Sequence, residues 1–121
     1  MNKVNIKEKF ELFNDQWSPR IIGELNGQQV KLAKLKDDFV WHSHEHEDEL
    51  FYVVKGTLIM EYRDRTEEVS EGEMIIVPRG VEHNPHTRNG EEVWVMLFEP
   101  KATKHTGEVQ HERTVNDQPW I

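Results

Sequence analysis

The sequence predicts an all-β sandwich or barrel preceded by one short helix. Short segments of strand-like alternation begin near residue 20 and recur as far as residue 98, with glycine, proline or asparagine between several of them. Before residue 20 the apolar residues have helical spacing, and beyond residue 100 the chain becomes polar and loses its periodicity. We therefore expect a single domain over residues 1–121, with a barrel core at about 20–100 and a polar tail at 101–121.

The helix is predicted over residues 5–14. Asn5 followed by Glu8 resembles a capping box, in which each residue satisfies a backbone N–H group of the first turn. Apolar residues then recur at the i, i+4 and i+7 positions of a helix, namely Ile6, Phe10 and Phe13. We expect this helix to lie across the barrel or against a partner subunit.

The strands are predicted from alternation and from the turns between them. Asn26-Gly27 is a strong signal for a two-residue hairpin between segments 20–25 and 28–35, because both turn positions need positive φ. Further strands are predicted at 39–44, 49–55, 57–63, 66–69, 73–77 and 92–98. The larger side chains that we expect to lie mostly in the core are Trp41, Tyr52, Trp94, Met96 and Phe98.

The composition argues against several classes of function. The chain has 15 basic and 23 acidic residues and a formal net charge of −8, which disfavours nucleic acid and anionic membranes as partners. It has no cysteine, which excludes disulfides, thiolate metal sites and a cysteine nucleophile. No run of about 18 apolar residues occurs, and the first ten residues lack the apolar stretch of a secretory signal. We expect a cytoplasmic protein.

Seven histidines is a high number for this length, and histidine is the commonest metal ligand. His42 and His44 are two residues apart, so on a strand both would point to one face, with Cβ atoms about 6.6 Å apart. Glu49 begins the next predicted strand and can add an oxygen ligand, and His83 follows the turn at 78–80 and offers another nitrogen. Taken singly, each feature also fits a solvated histidine-rich loop.

Two spaced motifs join these residues. The pattern His-x-His-x4-Glu-x6-Gly is met by His42, His44, Glu49 and Gly56. The pattern Gly-x5-Pro-x-Gly-x2-His is met by Gly72, Pro78, Gly80 and His83. Over roughly residues 28–99 the chain thereby closely resembles the cupin superfamily.

The resemblance implies a jelly-roll barrel that binds one divalent metal ion in its interior. The chain departs from the motifs at Lys36, where the first usually opens with glycine, and at Thr87, where the second usually ends in asparagine. Segments 41–44 and 48–51 also look like small bacterial cupins that are often labelled mannose-6-phosphate-isomerase-like. The metal ligands that the resemblance implies are His42, His44, Glu49 and His83.

Three imidazoles and one carboxylate suit one divalent transition metal ion, namely Fe, Mn, Zn, Ni or Co. An octahedral ion with these ligands would keep two positions open for water, dioxygen or substrate. We therefore expect a metal-dependent enzyme that acts on a small polar molecule, by dioxygenase-type or isomerase-type chemistry. The pattern offers no ground for choosing between them and identifies no catalytic residue beyond the ligands. The alternative is a non-catalytic cupin that binds or senses a small molecule or a metal.

Four further residues near the motifs have open roles. His46 would be a substitute ligand if its strand continued, although a solvent-facing position in the acidic turn is the simpler expectation. His86 is expected at the rim of the site or behind the ligands. Arg79 could hold an anionic substrate at the barrel mouth and Glu82 could carry protons, but exposure is the default for both.

We also expect a homodimer. Small open sheets have edge strands to protect, and Trp17, Trp120 and Ile121 look exposed in the sequence. The remaining histidines, His105 and His111, lie in the polar tail and are expected on the surface.

Overall fold

The structure, a computed structural model, describes residues 2–101 and 118–121. Its elements in chain order are α1 (Ile6–Phe10), β1 (Arg20–Leu25), β2 (Gln28–Lys36), β3 (Glu49–Lys55), β4 (Leu58–Tyr62), β5 (Thr66–Val69), β6 (Met74–Val77), β7 (His83–His86) and β8 (Glu92–Pro100). The predicted fold class, all-β with a short N-terminal helix, is confirmed. Most of the predicted polar tail, including His105 and His111, lies outside the described residues.

The strands form two antiparallel sheets arranged as a jelly-roll sandwich. One sheet has five strands in the order β1-β2-β8-β3-β6, and the other has three in the order β5-β4-β7. β8 lies at the centre of the larger sheet, where it pairs with β2 from Gln28↔Pro100 to Lys36↔Glu92 and with β3 from Leu50↔Phe98 onward. Of these three strands, β3 carries Glu49, which belongs to the candidate site described below.

The predicted hairpin between β1 and β2 is confirmed. Leu25 pairs with Gln28, and the two turn residues have positive φ, 49° at Asn26 and 76° at Gly27. Asparagine and glycine tolerate this left-handed conformation better than other residues, so the turn fixes the register of the first two strands.

The barrel interior is apolar over most of its length. On β8 the inward residues are Val93, Val95 and Leu97, and on β3 they are Phe51 and Val53. They pack with apolar residues of the other strands, including Ala33, Leu35, Leu58, Met60, Tyr62, Val69 and Val77.

The core residues predicted on β8 lie on the wrong face. Trp94 and Met96 are partly buried on the outer side of the sheet, where they pack with Phe10 of α1 and other apolar residues. Tyr52 and Phe98 are also only partly buried, as is Trp41 before β3. Because α1 covers the outside of this sheet, both faces of β8 carry large apolar residues, and alternation does not reveal which of them faces the interior.

The capping signal at Asn5 is correct, although the helix ends earlier than predicted. The Asn5 Oδ1 atom accepts a hydrogen bond from the Glu8 backbone N–H at 3.0 Å, as an N-cap residue does. The helix ends at Phe10, whose fully buried ring stacks on Trp94 with centroids 4.8 Å apart. The helix is therefore held by packing on the outer face of the larger sheet, as the short length of the helix requires.

One predicted strand is absent, and one observed strand was not predicted. Residues 39–44, all within the described part of the chain, form no regular strand, and His42 makes only an isolated bridge with His83. β7 was not predicted, because Pro85 lies at its centre. Proline is tolerated there because β7 lies at the edge of the smaller sheet, where β4 is its neighbouring strand and Pro85 pairs with Met60.

Trp17, which looked exposed in the sequence, is buried. Its side chain is 4% exposed, its indole Nε1–H donates to the Lys36 carbonyl at 2.9 Å, and its backbone N–H donates to the Lys34 carbonyl at 2.9 Å. The segment after α1 is thereby fixed across one end of the barrel.

The last residues of the chain pair with the edge of β1. The Ile21 N–H donates to the Pro119 carbonyl at 2.8 Å, and the Ile121 N–H donates to the Ile21 carbonyl at 3.1 Å. Trp120 between them is 56% exposed, as predicted, whereas Ile121 is partly buried. Across the described ranges we find no helix with the length and apolar character needed to span a membrane.

Candidate metal centre

The site begins with a backbone contact between two histidines. The His42 N–H donates to the His83 carbonyl at 3.1 Å, and the His83 N–H donates to the His42 carbonyl at 2.9 Å. This reciprocal pair joins the irregular segment before β3 to the start of β7 and places the two imidazole centroids 4.3 Å apart. The two histidines therefore converge through main-chain pairing, although they are 41 positions apart in the sequence.

Both of these imidazoles are oriented by backbone carbonyls. The Nδ1 atom of His42 lies 2.8 Å from the Val40 carbonyl oxygen, and the Nδ1 atom of His83 lies 2.9 Å from the Val81 carbonyl oxygen. A carbonyl only accepts, so we assign the ring proton to Nδ1 in each case. The Nε2 lone pairs then remain free to bind a metal, which is the usual orientation of a metal-binding imidazole.

His44 and Glu49 complete the cluster. The Gly80 N–H donates to the His44 carbonyl at 2.8 Å, which ties the histidine to the turn after β6. Glu49 opens β3, and its Oε1 atom lies 3.3 Å from Nε2 of His44 and 3.8 Å from Nε2 of His83. One carboxylate oxygen therefore faces two imidazole nitrogens.

The four predicted ligands come together in the barrel interior. One ligand atom from each of His42, His44, Glu49 and His83 lies within 4.8 Å of the others. The residues are at most 4% exposed, and the three Nε2 atoms and Glu49 Oε1 find no hydrogen-bond partner. Buried polar atoms without partners are rare in proteins, and four that face one point are the arrangement that a metal ion would satisfy.

The electrostatics of the cluster suit a cation. Burial, reinforced by the neighbouring His83, lowers the pKa of His42 to about 3, so its imidazole is neutral as a ligand must be. Burial would also lower the pKa of His44, but the Glu49 carboxylate at 3.3 Å and its charge outweigh burial and raise the pKa. Burial would raise the pKa of Glu49, but its close contacts with Glu99, His44 and His83 outweigh burial and hold the pKa well below the usual range. The carboxylate is thus ionised.

Sequence reasoning missed two buried charged residues beside Glu49. Lys31 on β2 and Glu99 on β8 are 1% and 0% exposed, and the Lys31 Nζ atom lies 2.8 Å from Glu99 Oε1. The Glu99 carboxyl also contacts the Glu49 carboxyl, and burial together with the charge of Glu49 raises the pKa of Glu99 well above the usual range. Strand parity could have found both, because Lys31 shares the inward face with Ala33, and Glu99 shares it with Leu97.

A small apolar chamber adjoins the cluster. Its volume is about 30 Å³, and His42 and Glu49 form part of its wall. Trp17 and Phe39 also line it, with their rings stacked 4.3 Å apart. The rest of the lining is apolar, namely Pro19, Ala33, Leu35, Phe51, Pro85, Val95 and Leu97.

A much larger groove lies elsewhere. It measures about 570 Å³, is open to solvent and is lined by residues such as Arg63, Arg65 and Ile76, with none of the four clustered residues among them. Its size alone does not make it the functional site, because the chemically distinctive residues lie inside the barrel.

The other residues singled out in the sequence lie outside the cluster. His46 is 80% exposed, and Glu82 is exposed and pairs with Arg63 at 3.3 Å. Arg79 is exposed, and its backbone N–H donates to Asp48 Oδ1 at 2.9 Å. His86 is partly buried on β7, with Nδ1 3.9 Å from Glu61 Oε1.

Known proteins resemble this chain in sequence and in fold. The family model for the cupin domain, Cupin_2, matches residues 28–100. The uncharacterized protein YdbB of Bacillus subtilis is 32% identical over 79 residues, a match that spans 64% of each chain.

Two solved structures are similar over most of their length. A cupin-2 domain containing protein from Shewanella frigidimarina is 46% identical, with a TM-score of 0.78 and coverage of 81% of this chain and 94% of that chain. Protein NMB1881 from Neisseria meningitidis is 30% identical, with a TM-score of 0.74 and coverage of 83% of this chain and 100% of that chain. The two motifs, the two-sheet fold and the family match agree: this chain belongs to the cupin superfamily.

Proposed function

We propose that this chain is a metal-dependent enzyme that binds one divalent transition metal ion through His42, His44, Glu49 and His83. The observation that supports this most directly is the convergence of four unpartnered ligand atoms within 4.8 Å of one another in the barrel interior. If these groups had a purely structural role, their polar atoms would remain buried without hydrogen-bond partners. Each such atom lowers the stability of the folded state.

The donor set fits a metal of borderline character. Three imidazole nitrogens and one carboxylate oxygen suit Fe, Mn, Co, Ni or Zn, and the absence of thiolate donors disfavours Cu(I). When bound, such an ion would supply a Lewis acid or, for a redox-active metal, a centre for electron transfer.

The protein residues around the ligands have distinct tasks. The carbonyl oxygens of Val40 and Val81 hold the imidazoles of His42 and His83 in the orientation that presents Nε2. The apolar chamber keeps bulk water away from the His42 imidazole and from Glu49. A dry, shaped cavity of this kind tunes the reactivity of a metal centre.

The chamber supports dioxygenase-type chemistry over isomerase-type chemistry. A cavity of about 30 Å³ with an almost wholly apolar lining accommodates a diatomic molecule such as dioxygen. A sugar phosphate would need several hundred cubic ångströms and convergent polar partners, which the lining of this chamber does not offer. We therefore infer that the chamber would admit a small apolar co-substrate to the side of the cluster formed by His42 and Glu49.

The second candidate is a non-catalytic module that binds or senses a small molecule or a metal. The burial of the ligands favours it, because all four residues are at most 4% exposed and a larger substrate would have to displace Trp17 or Phe39. The two candidates share the metal and differ in turnover.

The test is elemental analysis of protein produced without a polyhistidine tag, followed by oxygen-electrode measurements with a panel of enols and catechols. We expect about one transition metal ion per chain and oxygen consumption with at least one substrate. One metal ion per chain with isomerisation of a hydroxy-carbonyl compound and no oxygen uptake would favour the isomerase. Metal without any turnover would favour the binding module, and a chain that takes up no metal would contradict the enzyme and the metal-binding form of the module.

We also propose that the chain forms a homodimer through the outer face of the larger sheet. Leu50 pairs with Ile76 and Phe98 across three strands, and Tyr52 pairs with Met74 beside them. Met74 and Ile76 are 56% and 50% exposed, so this row presents apolar area to solvent at a sheet edge. Light scattering should give a mass of about twice 14.4 kDa, and Ile76→Glu should reduce it to the monomer. A monomeric mass for the unchanged chain would contradict the dimer.

A further inference from the structure

The buried ion pair of Lys31 and Glu99 lies where the lining of the barrel interior changes from apolar to charged. On β8 the inward residues before Glu99 are Val95 and Leu97, and on β2 the inward residue after Lys31 is Ala33. The charged pair therefore closes an otherwise apolar column at the level of Glu49.

An ion pair in this place needs a reason beyond stability. Both side chains are at most 1% exposed, and removing two charges from water costs more than a single attraction at 2.8 Å commonly returns. An apolar pair of similar volume would fill the same space at least as favourably.

The Glu99 carboxyl contacts both Lys31 and the proposed ligand Glu49. Lys31 Nζ holds Glu99 Oε1, and the remaining carboxyl oxygen of Glu99 has no donor partner. Leu50 of β3 pairs with Phe98 of β8, so the adjacent residues Glu49 and Glu99 lie side by side across the two strands, and both are buried. Glu49 Oε1 in turn faces the imidazoles of His44 and His83. Glu49 thus has Glu99 on one side and the imidazoles of His44 and His83 on the other.

We propose that Glu99, anchored by Lys31, is a positioning residue that sets the orientation of the Glu49 carboxylate toward the metal. The proposal rests on the proposed function, since it assumes that Glu49 is a ligand. Groups that hold a ligand in place commonly change metal affinity by about 10-fold to 100-fold when they are removed.

Two double variants separate the hydrogen-bonding capacity of residue 99 from the charge of the pair. K31M/E99Q and K31M/E99L both lack the Lys31 cation and both carry a neutral side chain at position 99. Only the glutamine retains an N–H donor for Glu49, so the two differ in the contact that the proposal invokes. Lys34→Met is a control, because Lys34 is a second buried lysine of β2 whose Nζ donates to the Phe13 carbonyl on the other face.

The probe is cobalt(II), whose visible absorption reports the geometry of its ligands, and the readouts are the Kd and that spectrum. We expect K31M/E99L to bind cobalt(II) at least tenfold more weakly than K31M/E99Q and to show a shifted spectrum. Lys34→Met should match the unchanged chain in both readouts. Equal Kd values and equal spectra for the two double variants would overturn the proposal.

The remaining outcomes are also decisive. If K31M/E99L fails to fold, the pair serves the fold and not the site, and the proposal is overturned. If the unchanged chain binds no cobalt(II), the proposed metal site itself is contradicted. That result differs from the failure of the positioning proposal, in which the unchanged chain binds cobalt(II) and the two double variants have equal Kd values and spectra.

Discussion

Trp17 stacks on Phe39 with ring centroids 4.3 Å apart and an interplanar angle of 6°, and Phe39 packs edge-on against His42 at 5.5 Å. The segment after α1 thus contributes the outermost layer of a short aromatic column that ends at a proposed metal ligand. This contact connects the N-terminal part of the chain, which lies before the two sequence motifs, to the interior of the barrel.

Trp17→Ala should destabilise the protein by about 3–5 kcal/mol, because it removes a large buried ring and leaves a cavity over the chamber. Trp120→Ala is the matched control, since Trp120 is 56% exposed and its removal should cost less than about 1 kcal/mol. Urea unfolding of the two variants measures the difference. Similar free energies of unfolding would show that Trp17 does not close the barrel.

His44→Ala should abolish stoichiometric metal binding while the barrel stays folded, because apolar strands supply most of the buried area. His46→Ala, two residues away and 80% exposed, should retain the metal. Elemental analysis and circular dichroism of both variants provide the readouts. If His44→Ala unfolds, the metal is structural; if both variants keep the metal, His44 is not a ligand.

The four clustered residues could be predicted from the sequence, but the structural basis predicted for their proximity is partly wrong. Strand parity was expected to bring His42 and His44 together, yet residues 39–44 form no regular strand. The convergence comes instead from the isolated bridge between His42 and His83 and from the hydrogen bond of Gly80 to His44. The spacing of the two motifs therefore predicted which residues lie together, but it did not predict the backbone hydrogen bonds that bring them together.

Other features could not be predicted from local sequence patterns, because they depend on contacts between distant residues. Lys31 and Glu99 were missed because charged residues are exposed by default, and only a partner from another strand permits their burial. Trp94 and Met96 were expected mostly in the core, but their alternation does not show that they pack under α1 on the outer face of the larger sheet. In the same way, Trp17 looked exposed because its partner, Phe39, is distant in sequence.

Gly56→Ala should be more destabilising than Gly72→Ala. Both glycines have φ near +80°, 85° and 82° respectively, so each substitution brings about 1 kcal/mol or more of backbone strain. A Cβ atom at Gly56 would also lie 2.7 Å from Glu91 Oε1 and 3.1 Å from Val93 Cγ2, whereas nothing lies within 4 Å at Gly72. Thermal unfolding compares the two, and a lower Tm for Gly72→Ala would contradict the crowding argument.

Glu92 should make stability depend on pH. Burial would raise its pKa, but the N–H groups of Trp94 and Gln16, which donate at 2.9 and 2.7 Å, lower it below the ordinary 4.5. A lowered pKa in the folded state means that the stabilisation is present above pH 4.5 and is lost as the pH falls through the folded value. Glu92→Gln should therefore cost about 1 kcal/mol near pH 7, and the difference from the unchanged chain should shrink in acid.

The control for this prediction is Glu45→Gln, whose side chain is 74% exposed. Its free energy of unfolding should stay within about 0.5 kcal/mol of the unchanged chain at both pH values. A cost for Glu92→Gln that grows on acidification would reverse the assigned sign.

The central claim is that His42, His44, Glu49 and His83 hold a single ion. It is tested most directly by anomalous diffraction at the metal absorption edge, from crystals of the unchanged chain grown with that metal in excess. We predict one strong peak per chain, about 2.0–2.2 Å from the three Nε2 atoms and from an oxygen of Glu49. Well-diffracting crystals without a peak among these four side chains would contradict the account.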